Sequence, residues 1–218
     1  MNVRRHSGLD GARAAVGTAV IIDVFRAFTT AAFCVAAGAR EVVLVGDHEQ
    51  ALALKAKDPK LFLTGEIGGR PIPGFDIGNS PSKIVDLDLT GRRVVQRTSA
   101  GTQGVVATDR ATEVVLGSLV IATATVRYLR GHDAISLVAM GTHGSNDHDE
   151  DELCAAYLEQ LLLGATVPFQ GIELNDAKPW PDWFPRRDAE LALEVDRFDF
   201  ALPVVREDGL LIARPVFS

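Results

Sequence analysis

Short β-branched apolar runs alternate along the chain with longer stretches in which apolar residues recur every three or four positions, the pattern of strand–helix units covering a largely parallel sheet. Thr18 to Val24 reads as a buried strand, and Ala27 to Gly38 as a small-residue helix closed by its glycine. Arg40 to Val45 is the next strand. Asp47 then caps a helix running to about Lys57, with Gln50 as its capping-box partner. Lys60 to Thr64, Arg93 to Thr98, Glu113 to Val120 and Ile135 to Gly141 are further strands, and helices follow Ser99–Thr102 and occupy Glu150 to Leu163.

After Gly164 the periodicity loosens. Phe198 to Val216 reads as two strands joined at Glu207-Asp208-Gly209, a tight-turn signal, and is expected as a hairpin at the sheet edge. Trp180 and Trp183, set among prolines, read as a packed surface loop or a lid. The expected fold is a single α/β domain over residues 1–218, a three-layer α/β/α arrangement with a mixed, mainly parallel sheet and a C-terminal hairpin. "AREVVLV" (39–45) and "ATEVVLG" (111–117) echo each other, each after a strand, a polar corner and a helix. The echo fits an old duplication and equally the similar demands of similar units.

Composition narrows the function classes. With 47% hydrophobic residues in 218, the chain can bury one substantial core. A formal net charge of −7 argues against a broad nucleic-acid or anionic-membrane surface. Cys34 and Cys154 lie in apolar contexts and read as core thiols. Met1 to Ala15 holds no long apolar run and no 18-residue apolar segment appears, so no signal peptide or membrane span is expected and the protein is expected to be cytoplasmic.

Four polar corners carry the candidate chemistry, and in a parallel sheet they would gather at the carboxyl edge of the strands. In Val20-Ile21-Ile22-Asp23-Val24-Phe25-Arg26 a carboxylate ends an apolar strand, where it requires a partner or a metal, and Arg26 can supply the partner. Phe25 occupies the place where an aspartyl-phosphate scheme of the haloacid-dehalogenase type sets its second Asp. The loop from Gly65 to Pro81 holds Glu66, Arg70, Asp76, Asn79 and Ser80 among glycines and prolines. Its oxygen donors suit Mg²⁺, while Ser80 reads as a helix cap before Pro81. Arg97-Thr98-Ser99-Ala100-Gly101-Thr102 places hydroxyls and free N–H groups at a helix start, suited to phosphate but without the spacing of a nucleotide P-loop. The acidic run Asn146 to Glu152 includes Glu150 and Asp151, first-turn dipole partners or metal ligands. His143 and His148 are candidate proton donors.

"VIIDVFRAFTTAA", "GEIGGRPIPGFDIGNSP", "VVQRTSAGTQG" and "EDELCAAYLEQL", in this order, resemble the 2-phosphosulfolactate phosphatase family between about Ala19 and Leu163. The resemblance implies a Mg²⁺-dependent α/β phosphohydrolase converting 2-phosphosulfolactate to 3-sulfolactate and phosphate, a step of coenzyme M biosynthesis. Many members carry Asn-Gly-Thr where this chain has Ala100-Gly101-Thr102, and an Asn near Ile121-Ala122-Thr123. A different phosphorylated hydroxy acid is therefore an open alternative, as is a non-catalytic phosphometabolite-binding protein. In the resulting expectation Asp23, Arg26 and Glu66 are catalytic; Arg70, Asn79, Ser80, Thr98, Ser99, Gly101 and Thr102 bind phosphate; and Asp23, Glu66, Asp76, Glu150 and Asp151 hold Mg²⁺. The expected partner is a small anionic phosphorylated substrate, with no nucleic acid and no membrane; a homodimer is compatible with the sequence.

Overall fold

The computed structural model describes residues 1–141, 150–174 and 179–217. Among the described residues eleven strands form one mixed sheet in the order β1-β8-β2-β7-β9-β10-β3-β6-β4-β5, ending on β5 (Arg70–Pro71), with β11 (Val216–Phe217) paired to β9. Two parallel blocks dominate it. One contains β1 (Asn2–Ser7), β8 (Ala134–Ala139), β2 (Gly17–Ile22) and β7 (Ala111–Gly117); the other contains β3 (Glu41–Leu44), β6 (Arg93–Arg97) and β4 (Phe62–Ile67).

Between the blocks lies the hairpin of β9 (Phe200–Glu207) and β10 (Leu210–Ala213), antiparallel to β7 on one side and β3 on the other. Asp208 and Gly209 both have positive φ, as the tight turn requires. The expected edge hairpin is thus a central one. Its inner residues Ala201, Leu202, Ile212 and Ala213 are buried because sheet neighbours flank both strands and the core covers them.

Helices cover both faces. α1 (Gly8–Ala14), α2 (Ala27–Ala36) and α4 (Gly101–Val106) pack on one face across both blocks, around Ile21, Phe28, Leu44, Val94 and Leu116. On the opposite face α5 (Ala122–Tyr128) and α6 (Glu150–Leu162) cover the first block around Val20, Val115 and Leu137. α3 (His48–Lys57), capped by Asp47 through the Glu49 amide at 3.0 Å, covers the second block around Val43, Leu63 and Val95. Cys34 and Cys154 are free and buried, as expected of core thiols. Among the described residues no helix is long and apolar enough to cross a membrane.

The two units that echo in sequence, β2-α2-β3 and β6-α4-β7, are interlocked: β2 pairs with β7, and β3 pairs with β6. Each helix crosses from one block to the other. Because the three ladders joining the blocks are antiparallel, β2 and β6 run in opposite senses along the sheet. Their carboxyl ends would be far apart on a flat sheet. A twisted sheet is saddle-shaped, and with roughly 20–25° between neighbours its diagonally opposite corners bend toward one face. The corners after β2 and β6 therefore meet, through saddle curvature rather than through the common parallel edge expected from the sequence.

Candidate active site

The meeting point is direct. Gln96 Nε2, at the end of β6, donates to the Ala27 carbonyl at 2.7 Å, and Ala27 opens α2 immediately after the Asp23 corner. A Cβ built on Gly101 would lie 2.7 Å from Asp23 Oδ2 and 2.7 Å from the Ala27 Cβ. Only glycine lets the first turn of α4 approach this closely.

Asp23 is buried and fixed. Its Oδ1 accepts the Ala27 amide at 2.8 Å, and its own amide donates to Gly117 O at 3.2 Å. Burial pushes its carboxyl up from 3.8 to about 6, and the nearby charge of Glu66 acts in the same direction, against hydrogen bonds from Ala27 and Gly101. Asp151, also buried, accepts the Val24 amide at 2.6 Å, so the first turn of α6 braces the residue next to Asp23. Glu150 is half-buried at the start of α6.

Glu66, near the end of β4, is held by loop backbone. Its Oε1 accepts the Ser99 amide at 2.5 Å; its Oε2 accepts the Gly69 amide at 2.6 Å and the Ser99 hydroxyl at 3.1 Å. Ser99 Oγ in turn accepts from Gly68 N at 2.9 Å. Arg97 Nη1 donates to the Glu66 carbonyl at 2.9 Å. The loop after β4 and the corner after β6 are thereby one hydrogen-bonded unit.

Arg26 takes a different partner from the one expected. Its Nη1 lies 2.6 Å from Asp188 Oδ2 and 2.8 Å from the Trp183 carbonyl, and its guanidinium stacks 4.3 Å from the centre of the Phe184 ring. Asp188, in α7 (Arg186–Ala192), is fully buried, and its other oxygen accepts from Ser80 Oγ at 2.8 Å and Ser82 N at 2.9 Å. Ser80 thus serves Asp188 instead of capping the 3₁₀ turn Pro81–Lys83. Trp183 lies against Gly69, where a Cβ would fall 2.3 Å from the indole. The Trp–Pro segment is a packed cover over the loop that holds Glu66.

The other expected site residues divide clearly. Asn79 is buried behind the junction, its Oδ1 3.4 Å from Gln96 Nε2. Thr98 and Thr102 bond to each other: Thr102 N donates to Thr98 Oγ1 at 3.0 Å, and Thr98 N donates to Thr102 Oγ1 at 2.8 Å. Both hydroxyls thus close the turn into α4. Arg70 is exposed in β5 (Arg70–Pro71), the short return strand beyond Glu66. Asp76 belongs elsewhere: its Oδ2 accepts the Leu63 amide at 2.7 Å and pairs with Lys55 of α3. Among the described residues no group of three or more His, Cys, Asp and Glu is placed to hold a metal, so the five-carboxylate cluster expected from the sequence does not assemble. Asp23 and Glu66 remain as neighbours. His143 and His148 lie outside the described residues.

Beside Ser99 and Ala100 a cleft of about 480 Å³ runs between Met140 and the Gly8–Arg13 stretch. The missed residue of greatest consequence is Asp188. Its signal was indirect: a buried Arg26 whose Asp23 neighbour is bonded elsewhere must find another carboxylate.

Comparison with known proteins places these features in context. A family model described as 2-phosphosulpholactate phosphatase matches residues 6–180. A protein of Deinococcus radiodurans named probable 2-phosphosulfolactate phosphatase is 40% identical over 150 residues, covering 66% of this chain and 61% of its own. A protein of Bacillus subtilis with the same name is 32% identical, covering 68% of this chain and 65% of its own. One of Thermus thermophilus, again so named, is 35% identical over 75% of this chain and 70% of its own. The chain therefore spans less than two thirds of the first two relatives.

Proposed function

The chain belongs to the 2-phosphosulpholactate phosphatase family, and from that premise we propose that it is a Mg²⁺-dependent phosphomonoester hydrolase whose substrate is 2-phosphosulfolactate. The products would be 3-sulfolactate and phosphate, a step in coenzyme M formation. The substrate assignment is supported by the names of the relatives, and the chemistry by one observation: two buried carboxylates, Asp23 and Glu66, stand close enough beside the junction of the corners after β2 and β6 for the charge of Glu66 to raise Asp23.

Mg²⁺ fits this pair. Burial and the charge of Glu66 push Asp23 up despite the Ala27 and Gly101 amides, and the Arg26 guanidinium, which acts to lower it, is hydrogen-bonded to Asp188. Mg²⁺ takes hard oxygen ligands and is commonly bound through one or two carboxylates, with waters and substrate phosphate completing its shell. Asp23 and Glu66 would hold it, and it would supply positive charge to the phosphoryl oxygens and the attacking water.

In the overall step, water oxygen joins phosphorus while the bond from phosphorus to the substrate's C2 oxygen breaks. One water proton leaves, and the departing oxygen gains one. The chain's contribution is preorganisation. Ala27 and Gly101 amides fix Asp23; Ser99 and Gly69 amides fix Glu66; Arg26, Asp188 and Ser80 lock the loops behind them. We assign Arg26 to holding the corner. The cleft beside Ser99 and Ala100 would admit the substrate's acidic end, with Arg13 on its wall.

Phosphate release from 2-phosphosulfolactate and a dozen phosphomonoesters of hydroxy acids, with Mg²⁺ and with chelator, tests the proposal. Fastest turnover on 2-phosphosulfolactate, lost on chelation, is expected. Preference for another ester would replace the substrate, and full turnover in chelator would remove the metal.

A further inference from the structure

At the amino-terminal ends of β3, β4 and β6, the edge of their block opposite Glu66 and Arg97, a separate cleft of about 490 Å³ is lined by Arg40, Asp58, Lys60, Arg92 and Arg93 among others. Four cations around one lining acid stand out on a chain of net charge −7. Catalysis does not account for them, since ligands of parallel strands collect at the carboxyl ends.

Local ion pairing leaves a positive surplus. Glu41, buried below the rim, bonds Arg93 Nε and accepts from Arg214 Nε at 2.8 Å, with Arg40 Nε 3.5 Å away. One carboxylate is shared by three guanidiniums, and against the upward push of burial Arg214 and Arg93 hold its carboxyl below the usual range. Arg214 has a second acid, Glu207. Lys60 and Arg92 make no ion pair among the described residues. Across the cleft the formal sum is Arg40, Lys60, Arg92 and Arg93 against Asp58 and Glu41, a surplus of two positive charges.

Arg92 is also set in place. Its Nε and Nη2 donate to the Lys60 carbonyl at 3.3 and 3.0 Å, and its guanidinium lies 5.5 Å from the centre of the Phe62 ring. A guanidinium fixed on one edge loses little freedom when its other donors meet an anion, and its planar fork matches phosphate oxygens.

We infer that this cleft is a binding site for a compact oligophosphate, remote from the Asp23–Glu66 corner and independent of it. Several converging cations favour an anion with more than one charged centre over a single carboxylate. Pyrophosphate is the probe.

The test is calorimetric titration of pyrophosphate into the full chain at near-physiological ionic strength with chelator present, together with amide chemical shifts. Binding at least about tenfold tighter than sulfate is expected, with shifts centred on Leu61 and Gly91. Lys60→Glu, a charge reversal at an exposed side chain, should weaken it at least about tenfold and leave phosphate-ester turnover unchanged. Arg40→Glu offers the same reading at a second exposed position. Binding no tighter than sulfate, affinity untouched by both reversals, or shifts centred on Ser99 and Gly101 would each overturn the site. Loss of phosphatase activity on every ester would refute the catalytic reading and leave this test standing.

Discussion

The Arg26 guanidinium and the Asp188 carboxylate, 162 residues apart in sequence, meet at 2.6 Å with their side chains only 3% and 0% exposed. Each alone would be a buried charge, and each has further bonds: Arg26 to the Trp183 carbonyl, Asp188 to Ser80 and Ser82. The pair ties the corner after β2 to the loop before Pro81 and to α7.

Removing one partner leaves the other charged and buried, a change that costs about 3–5 kcal/mol. Asp188→Ala should therefore lower the unfolding free energy by that amount in denaturant titration. Asp188→Asn keeps an acceptor for Ser80 and retains the volume, so it should fold better than the alanine variant while still losing stability. Equal stability of all three proteins would mean that the pair contributes nothing net.

Asp23 has a stability signature of its own. Its folded-state carboxyl is raised from 3.8 to about 6, so the native state keeps a proton that the unfolded chain has already released. Stability contributed at this position is lost as pH rises from about 4 to about 6, and the loss is complete above that. A shift of this size corresponds to about 3 kcal/mol. In metal-free protein, the difference in unfolding free energy between wild type and Asp23→Asn should move against wild type by up to that amount between pH 4 and 7.5. A difference that stays flat over this range would contradict the burial and the nearby Glu66 charge described for Asp23.

Activity should move the opposite way. Asp23→Asn removes a preorganised charge at the corner, and losses of one such group reduce kcat by at least about a hundredfold. Turnover of 2-phosphosulfolactate by the purified variant near the wild-type rate would remove Asp23 from the mechanism.

Gly101→Ala tests the close approach of the two corners. The added methyl would lie 2.7 Å from both Asp23 Oδ2 and Ala27 Cβ, and Ala27 belongs to a packed helix that cannot give way cheaply. Overpacking of this kind costs about 1–3 kcal/mol. Melting temperature should fall, and kcat should fall with it because Asp23 must shift. A variant with native stability and rate would show that α4 can slide.

How much of this was legible beforehand depends on the range of the interaction. Asp23 ends an apolar strand and Asp208-Gly209 closes a hairpin, and both are signals carried by neighbouring residues. The central position of that hairpin was not legible, because Leu202 and Ile212 carry the same apolar alternation whether a strand has one sheet neighbour or two. β1 escaped notice since Asn2–Ser7 is mostly exposed and polar, so no hydrophobic run marked it. Asp76 looked like Glu66 in sequence, as both are acids in one glycine-rich loop. Only the fold shows that Asp76 turns back to Leu63 and Lys55 while Glu66 turns to Ser99. Asp188 was hidden for the simplest reason: nothing local links it to Arg26.

Metal binding can be read without turnover. Two neighbouring buried carboxylates repel, and a dication between them would remove that penalty only where both are ionised. Occupancy at a hundred times the dissociation constant adds about 2.7 kcal/mol to stability. For a domain of this size that is a rise of several degrees in melting temperature. Mg²⁺ should therefore raise the melting temperature of the wild type at pH 7.5, and by less at pH 5, where Asp23 is largely protonated. Asp23→Asn and Glu66→Gln should both abolish the rise. A rise that survives in both variants would place the ion elsewhere, and Asp23 and Glu66 would then have to be explained as a pair stabilised by the Ala27, Gly101, Ser99 and Gly69 amides alone.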